Sequence, residues 1–193
     1  MSPTTNTISK KRKHARLFGI LIGLGIFLIM IAVMAVIRVT PYNVYKNEAA
    51  GIRMKYPAYW KIINEVSAPG LVVAIASPMQ TALDTYAENV NVTFQDLDKP
   101  ITLPQFSQTA MQQLTGTFKE KVKVLESGPA RLAGRPAYRF SYLITATDPP
   151  RKFLHIWVIA GTRAYIFTYN GTEKDFDVFM GEVKTMINSF TVL

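Results

Sequence analysis

Acid–base, metal and nucleophilic chemistry draw on few side-chain types, and this chain of 193 residues holds few of them in useful spacing. It has two histidines, His14 and His155, and no cysteine. His14 lies in a basic stretch. His155 shares one face of an alternating segment with Phe153 and Trp157, where it suits either a general base or metal ligand, or a packed strand histidine. One imidazole without thiolates falls short of an ordinary zinc ligand set. Asp96 and Asp98 could hold a hard cation through oxygen, and the same pair suits a solvated turn. Nucleophilic catalysis needs a base beside the nucleophile. No serine sits in a Gly-x-Ser-x-Gly elbow, and Gly19, Gly23 and Gly25 lie in an apolar run and not in a phosphate-cradling loop. Paired carboxylates of the glycosidase kind meet only in space, so spacing leaves them open. The expectation is therefore no catalytic activity, no cofactor and no metal centre. The absence of cysteine also excludes disulfides, thiol chemistry and a cysteine-linked lipid.

The remaining candidate surface is aromatic. Tyr59, Trp60, His155 and Trp157 are the residues expected to meet a partner or ligand. Tyr56, Tyr138, Tyr142, Tyr165 and Tyr169 alternate along strands as core residues do. Asn91-Val92-Thr93 and Asn170-Gly171-Thr172 have the form of glycosylation sequons.

These side chains need elements to place them. Residues 38–48 read as a linker or first strand. Ile52, Met54 and Tyr56 alternate with Arg53 and Lys55, which predicts a strand closed by Pro57. A second strand is expected from Trp60 to Val66. Leu71–Ala76 is a continuous apolar run, suited to a strand covered on both faces. Val90, Val92 and Phe94 alternate with polar partners. Thr102 caps an expected helix, with Gln105 completing a capping box and Pro104 in the first turn. Its stripe is Leu103, Phe106, Ala110 and Leu114, and Gly116 is read as its end. Strands return at Val122–Glu126, Tyr138–Thr145, Phe153–Ala160 and Ala164–Tyr169, the last two joined through Gly161-Thr162-Arg163. Thr172 is read as the cap of a second helix whose stripe is Phe176, Phe179, Met180, Val183, Met186 and Ile187. A short strand, Phe190–Val192, closes the chain. About eight strands and two helices imply an α+β fold, an antiparallel β-sheet flanked by helices.

The N-terminal portion has a different physics. Of 22 Lys and Arg residues, Lys10, Lys11, Arg12, Lys13, Arg16 and Arg38 precede Lys46, and no acidic residue occurs before Glu48. The net charge of +9 is thus mainly a local feature, and sixteen bases against thirteen acids remain beyond it. That argues for a topology signal and against a nucleic-acid partner. Residues 17–37 are uncharged, and fourteen of them are Leu, Ile, Phe or Val. As a helix they would span about 31 Å, the thickness of a bilayer's hydrocarbon core. Insertion would be favoured by roughly 4–8 kcal/mol. The basic cluster ahead of this stretch predicts an N-terminus in the cytoplasm and a domain outside the plasma membrane. A cleaved signal peptide is the rival reading, but the apolar run is long and lacks a clean small-x-small site at Met34–Arg38. The expected organisation is a basic tail over 1–16, a transmembrane helix over 17–37, the joining segment 38–48 and an extracytoplasmic domain over 49–193. Gly19 and Gly23 form a GxxxG pair that suits helix–helix contact and a homodimer.

Three stretches in order resemble a known family. Tyr56-Pro57-Ala58-Tyr59-Trp60 resembles the "YPxxW" signature of PsbP-like domains. Gly134-Arg135-Pro136-Ala137-Tyr138-Arg139-Phe140 resembles their central strand entry. Gly161-Thr162-Arg163-Ala164-Tyr165-Ile166-Phe167, followed by a helix and Asn188-Ser189-Phe190-Thr191-Val192, resembles their "G-x-x-Y" hairpin and closing "SF-x-V". The resemblance covers residues 42–193. It implies a Mog1/PsbP-like α/β/α sandwich, in a bacterial, membrane-anchored form, and a role in binding or assembly in place of catalysis. The group includes photosystem II extrinsic proteins, a nuclear Ran-binding protein and bacterial envelope proteins. The basic tail and apolar span depart from the photosystem members, and an extracytoplasmic domain departs from the nuclear one. The resulting expectation is a membrane-tethered binding or assembly module whose partners are the lipid bilayer and an envelope or membrane protein. An envelope sensor of a small ligand or metal ion, and an enzyme, stand as the alternatives.

Overall fold

The computed structural model describes residues 40–193. The basic tail over 1–16, the apolar span over 17–37 and the Gly19–Gly23 pair lie outside the described residues. Among the described residues no helix is long and apolar enough to cross a membrane. They contain ten strands and two α-helices, with every strand pair antiparallel.

The first strands, β1 (Tyr42–Asn47) and β2 (Ile52–Pro57), pair as a hairpin, and the short β10 (Thr191–Val192) joins the other side of β2. This makes a three-stranded sheet. Ile52 and Met54 of β2 turn inward and are fully buried, while Arg53 and Lys55 turn outward. The larger sheet has seven strands in the order β3 (Lys61–Ile62), β4 (Leu71–Ala76), β5 (Asn89–Asp96), β9 (Arg163–Thr172), β8 (Arg151–Ala160), β7 (Arg135–Ile144) and β6 (Val122–Leu132). Helix α1 is Leu103–Phe118 and helix α2 is Met180–Ser189.

The period of two along β8 divides the large sheet into two faces. Leu154, Ile156 and Val158 belong to a core that includes Val183 and Met186 of α2 and Ile52 and Met54 of β2. Their neighbours Phe153, Trp157 and Ile159 belong to a second core with Phe106, Ala110 and Leu114 of α1. Each helix therefore covers one face. From Ile156 to Ile159 on β8 and from Ala164 to Phe167 on β9 both faces are apolar because both are covered, which removes the polar half of an ordinary antiparallel strand.

The departures from expectation have local causes. The strand expected from Trp60 to Val66 shrinks to Lys61–Ile62 at the sheet's edge, because Asn64 and Glu65 offer little to bury. Helix α1 runs through Gly116 to Phe118, and Lys119, at φ 49°, ends it. The capping box on Thr102 is formed, with Gln105 N donating to Thr102 Oγ1 and Thr102 N donating to Gln105 Oε1. The second helix starts at Met180 and not at Thr172, which closes β9. Thr172 Oγ1 still accepts from Asp175 N at 3.1 Å, so the capping chemistry shapes a turn before the helix. The stripe is nevertheless inward: Phe176, Phe179, Val183 and Met186 are all buried. At the β8–β9 hairpin Gly161 takes φ 63°, as a two-residue turn with glycine first requires.

Candidate functional site

Helix α1 does not cover its whole face of the sheet. Beside it, over β5, β9 and β8, opens a cleft of about 370 Å³. Its floor is Trp157, His155 and Ile166, and one wall is the helix side formed by Phe106, Thr109, Ala110, Gln113, Leu114 and Thr117. Gln95, Leu97 and Ile101 form the opposite rim. The sequence builds this shape simply. The apolar stripe of α1 seats the helix on the sheet, and Thr109, Gln113 and Thr117, spaced by four, follow its edge. No charged side chain lines the cleft among the described residues.

The floor is rigid. Trp157 is buried, stacked 5.7 Å from Tyr138 and edge-on to Phe106, and its Nε1 donates to Ser107 Oγ of α1 at 2.7 Å. That bond ties the sheet to the helix and leaves the indole with no polar group to offer a ligand. His155 lies flat against Tyr142, with ring centroids 5.5 Å apart. Both imidazole nitrogens are engaged: Nε2 is 3.0 Å from Tyr142 Oη, and Nδ1 is 2.9 Å from Thr168 Oγ1. A neutral imidazole has one donor and one acceptor, so the two hydroxyls complete it in either tautomer. Burial pushes the His155 pKa down to about 4 and raises that of Tyr142. A neutral ring with both nitrogens occupied is not placed to move a proton to or from a ligand.

Past the cleft, β5 and β9 carry a ladder of amides on the same face. Asn91 Nδ2 donates to Asn89 Oδ1, and Asn89 and Asn170 exchange bonds through Asn170 Nδ2 at 2.8 Å and Asn89 Nδ2 at 3.3 Å. Tyr86 Oη donates to Asn170 Oδ1, and the Arg151 guanidinium lies over the Tyr86 ring. Asn170, only 5 % exposed and bonded through its amide nitrogen, is in no position to carry a glycan in the folded protein.

The four aromatic and histidine candidates separate into two pairs. His155 and Trp157 stand side by side on the cleft floor. Trp60 belongs to the other core, and Tyr59 beside it is exposed at the surface. Trp60 is 3 % exposed and packs edge-on against Phe179, and Tyr59 Oη donates to Glu182 at 2.9 Å. Burial, with the Glu182 carboxylate, pushes the Tyr59 pKa up to about 12. Asp96 is bonded to Arg163 at 2.6 Å, and no group of three His, Cys, Asp or Glu able to hold a metal occurs among the described residues. Thr168, Gln95, Thr109 and Gln113 were not singled out by sequence. Thr109 and Gln113 had a signal, since they sit one position from the stripe of α1. Thr168 and Gln95 had none, because the register that brings them beside His155 and the helix is set by strand pairing.

The sequence model of the PsbP family matches residues 40–192. No curated protein matches the chain. Among solved structures, the chain is similar to cyanobacterial PsbP from Synechocystis sp. PCC 6803, with a TM-score of 0.61 at 16 % identity over 82 % of this chain and 96 % of that one. It is also similar to LpqN, involved in cell envelope biogenesis of Mycobacterium tuberculosis, with a TM-score of 0.56 at 13 % identity over 80 % of this chain and 86 % of that one. The Ran-binding protein Mog1p of Saccharomyces cerevisiae has a TM-score of 0.55 at 11 % identity over 80 % of this chain and 96 % of that one. At these identities the likeness is one of fold.

Proposed function

The chain belongs to the PsbP family, and from that membership we propose that residues 49–193 act as a binding and assembly module tethered on the non-cytoplasmic side of the plasma membrane. In this reading residues 17–37 are the membrane anchor, 1–16 a basic cytoplasmic tail, and 38–48 the joining segment that contains β1. The observation that carries the binding role is the cleft beside α1. It has an apolar floor, a rim of amides and hydroxyls, and a histidine whose nitrogens are both taken. Such a surface accepts an apolar side chain and hydrogen-bonds the backbone around it, and it offers no group that would catalyse a reaction. The partner is a segment of a membrane or envelope protein bearing an apolar anchor residue. Tethering keeps the module near such a partner, where effective concentration takes the place of high intrinsic affinity. The binding role named for the yeast relative and the envelope role named for the mycobacterial one point the same way.

The test uses the full chain in intact membranes, with a photo-crosslinking residue in place of Gln113. A discrete adduct is expected, and it should vanish when Ala110→Trp fills the cleft. The same adducts from Leu83, which is 91 % exposed and outside the cleft, would overturn the binding role. Protease added from outside should digest the domain while an N-terminal tag stays protected. Release of a mature chain lacking the N-terminal residues would turn the protein into a soluble exported domain.

A further inference from the structure

The outer face of the three-stranded sheet is not used by either core. Register places Val44 opposite Lys55 and Lys46 opposite Arg53, with Thr191 on the other side of Arg53. The face therefore presents Lys46, Arg53 and Lys55, all exposed, around Val44 at 48 % exposure, and Leu193, 62 % exposed, lies just past β10. Lys46 is bonded to Glu48 at 2.7 Å, whereas Arg53 and Lys55 have no ion-pair partner among the described residues. A hollow of about 420 Å³ opens beside these two cations, bounded by Asn188, Ser189 and Thr191 as well. Exposed cations around exposed apolar side chains are the composition of a surface that meets anionic headgroups.

Chain length says what the face is near. Five residue steps separate Ile37, the last residue of the apolar run, from Tyr42, the first of β1. At about 3.4 Å per residue the start of β1 cannot lie more than about 17 Å from the end of that run. On the anchor reading proposed above, on which this inference rests, the start of the first hairpin is held within about 17 Å of the hydrocarbon edge, in or next to the headgroup layer. We propose that the outer face of β1–β2–β10 docks on the anionic lipid surface of the membrane, with Arg53 and Lys55 taking headgroup phosphates and Val44 entering the interface. Docking fixes the orientation of the domain on the bilayer, a property that a flexible tether alone does not give.

The chain lacks cysteine, so a single introduced thiol labels cleanly. Full-length Val44→Cys, spin-labelled, is reconstituted into phosphatidylcholine vesicles with or without 30 % phosphatidylglycerol, alongside Leu125→Cys on β6 as a reference. Protection of the label at 44 from an aqueous relaxation agent is the readout. Protection is expected only with phosphatidylglycerol, and only at 44. Each cation near an anionic surface shifts the docked fraction by about fivefold, so Arg53→Gln with Lys55→Gln should lower the docked-to-free ratio about thirtyfold, and high salt should do the same. Equal exposure at 44 in both bilayers, in a chain that alkaline carbonate fails to extract, overturns the docking and leaves the anchor intact. Extraction by carbonate removes the anchor reading and this inference together. Protection that appears in both bilayers and rises with protein density assigns the face to a second copy of the chain and also overturns it.

Discussion

His155 gives the cleft floor a measurable signature. Its imidazole is half-buried between Tyr142 and Thr168 on the cleft floor, and loss of solvation there lowers its pKa from 6.5 to about 4. In the unfolded chain the ring takes a proton as pH falls through about 6.5, while in the folded protein it stays neutral until about 4. Across that window the unfolded state binds more protons, so stability rises with pH between about 4 and 6.5. The contribution is fully present above the unfolded value and lost as pH falls toward the folded one. At about 1.4 kcal/mol per pKa unit, the shift is worth about 3 kcal/mol between pH 7 and pH 4. For a domain of this size that corresponds to a change in Tm of about 6–12 °C. The perturbation is His155→Gln, whose amide can still donate and accept toward the two hydroxyls but does not titrate. Urea unfolding of the wild-type and variant domains, Pro41–Leu193, is followed at half-unit intervals from pH 4 to 8. The variant loses some stability at pH 7, and the gap between the two proteins is expected to close by about 3 kcal/mol on the way to pH 4. Taking the difference removes other titrations. Among them is buried Glu88, whose raised pKa works in the opposite sense: the folded state keeps that proton longer, and its contribution is lost as pH rises. Parallel curves for the two proteins would show that the imidazole is solvated and that the cleft floor is not the neutral, dry surface on which the binding role rests.

Two further substitutions probe the frame of the site. Trp157→Ala removes the indole that bonds Ser107 and packs on Phe106 and Tyr138, and it should cost about 3–5 kcal/mol in chemical denaturation, with faster hydrogen exchange along α1 as the helix loosens from the sheet. Gly70→Ala should cost at least about 2 kcal/mol, because Gly70 has φ 70° and an added Cβ would stand 2.1 Å from the Phe94 carbonyl oxygen; an unchanged midpoint would mean the β4–β5 edge moves freely.

What could be read from the sequence is whatever depends on near neighbours in the chain. The alternation at Ile52–Tyr56 and Val90–Gln95 gives strands with known inward sides, since side chains along a strand alternate between its faces. The Thr102–Gln105 box fixes the start of α1 through bonds spanning three residues. The stripe from Phe176 to Ile187 marks the buried side of the last helix even though the helix itself begins later than its polar cap suggests. The absence of cysteine and the scarcity of histidine limit the chemistry whatever the fold. The order of motifs identifies the family because it records the order of the elements.

The cleft is different in kind. Nothing near Trp60 in the chain distinguishes it from Trp157, yet one fills a core and the other floors the cleft. The difference arises because β3 pairs at one edge of the sheet and β8 lies near its middle, under α1. The neutral state of His155 depends on Tyr142 and Thr168, each thirteen residues away and brought beside it only by the pairing of β7, β8 and β9. Residue types, spacing and local hydrogen bonds determined the elements and the limits on chemistry. Only the tertiary structure decided which of these side chains face one another, because strand order and register are set by the joint burial of both faces of one sheet, a condition that no single segment of the chain contains.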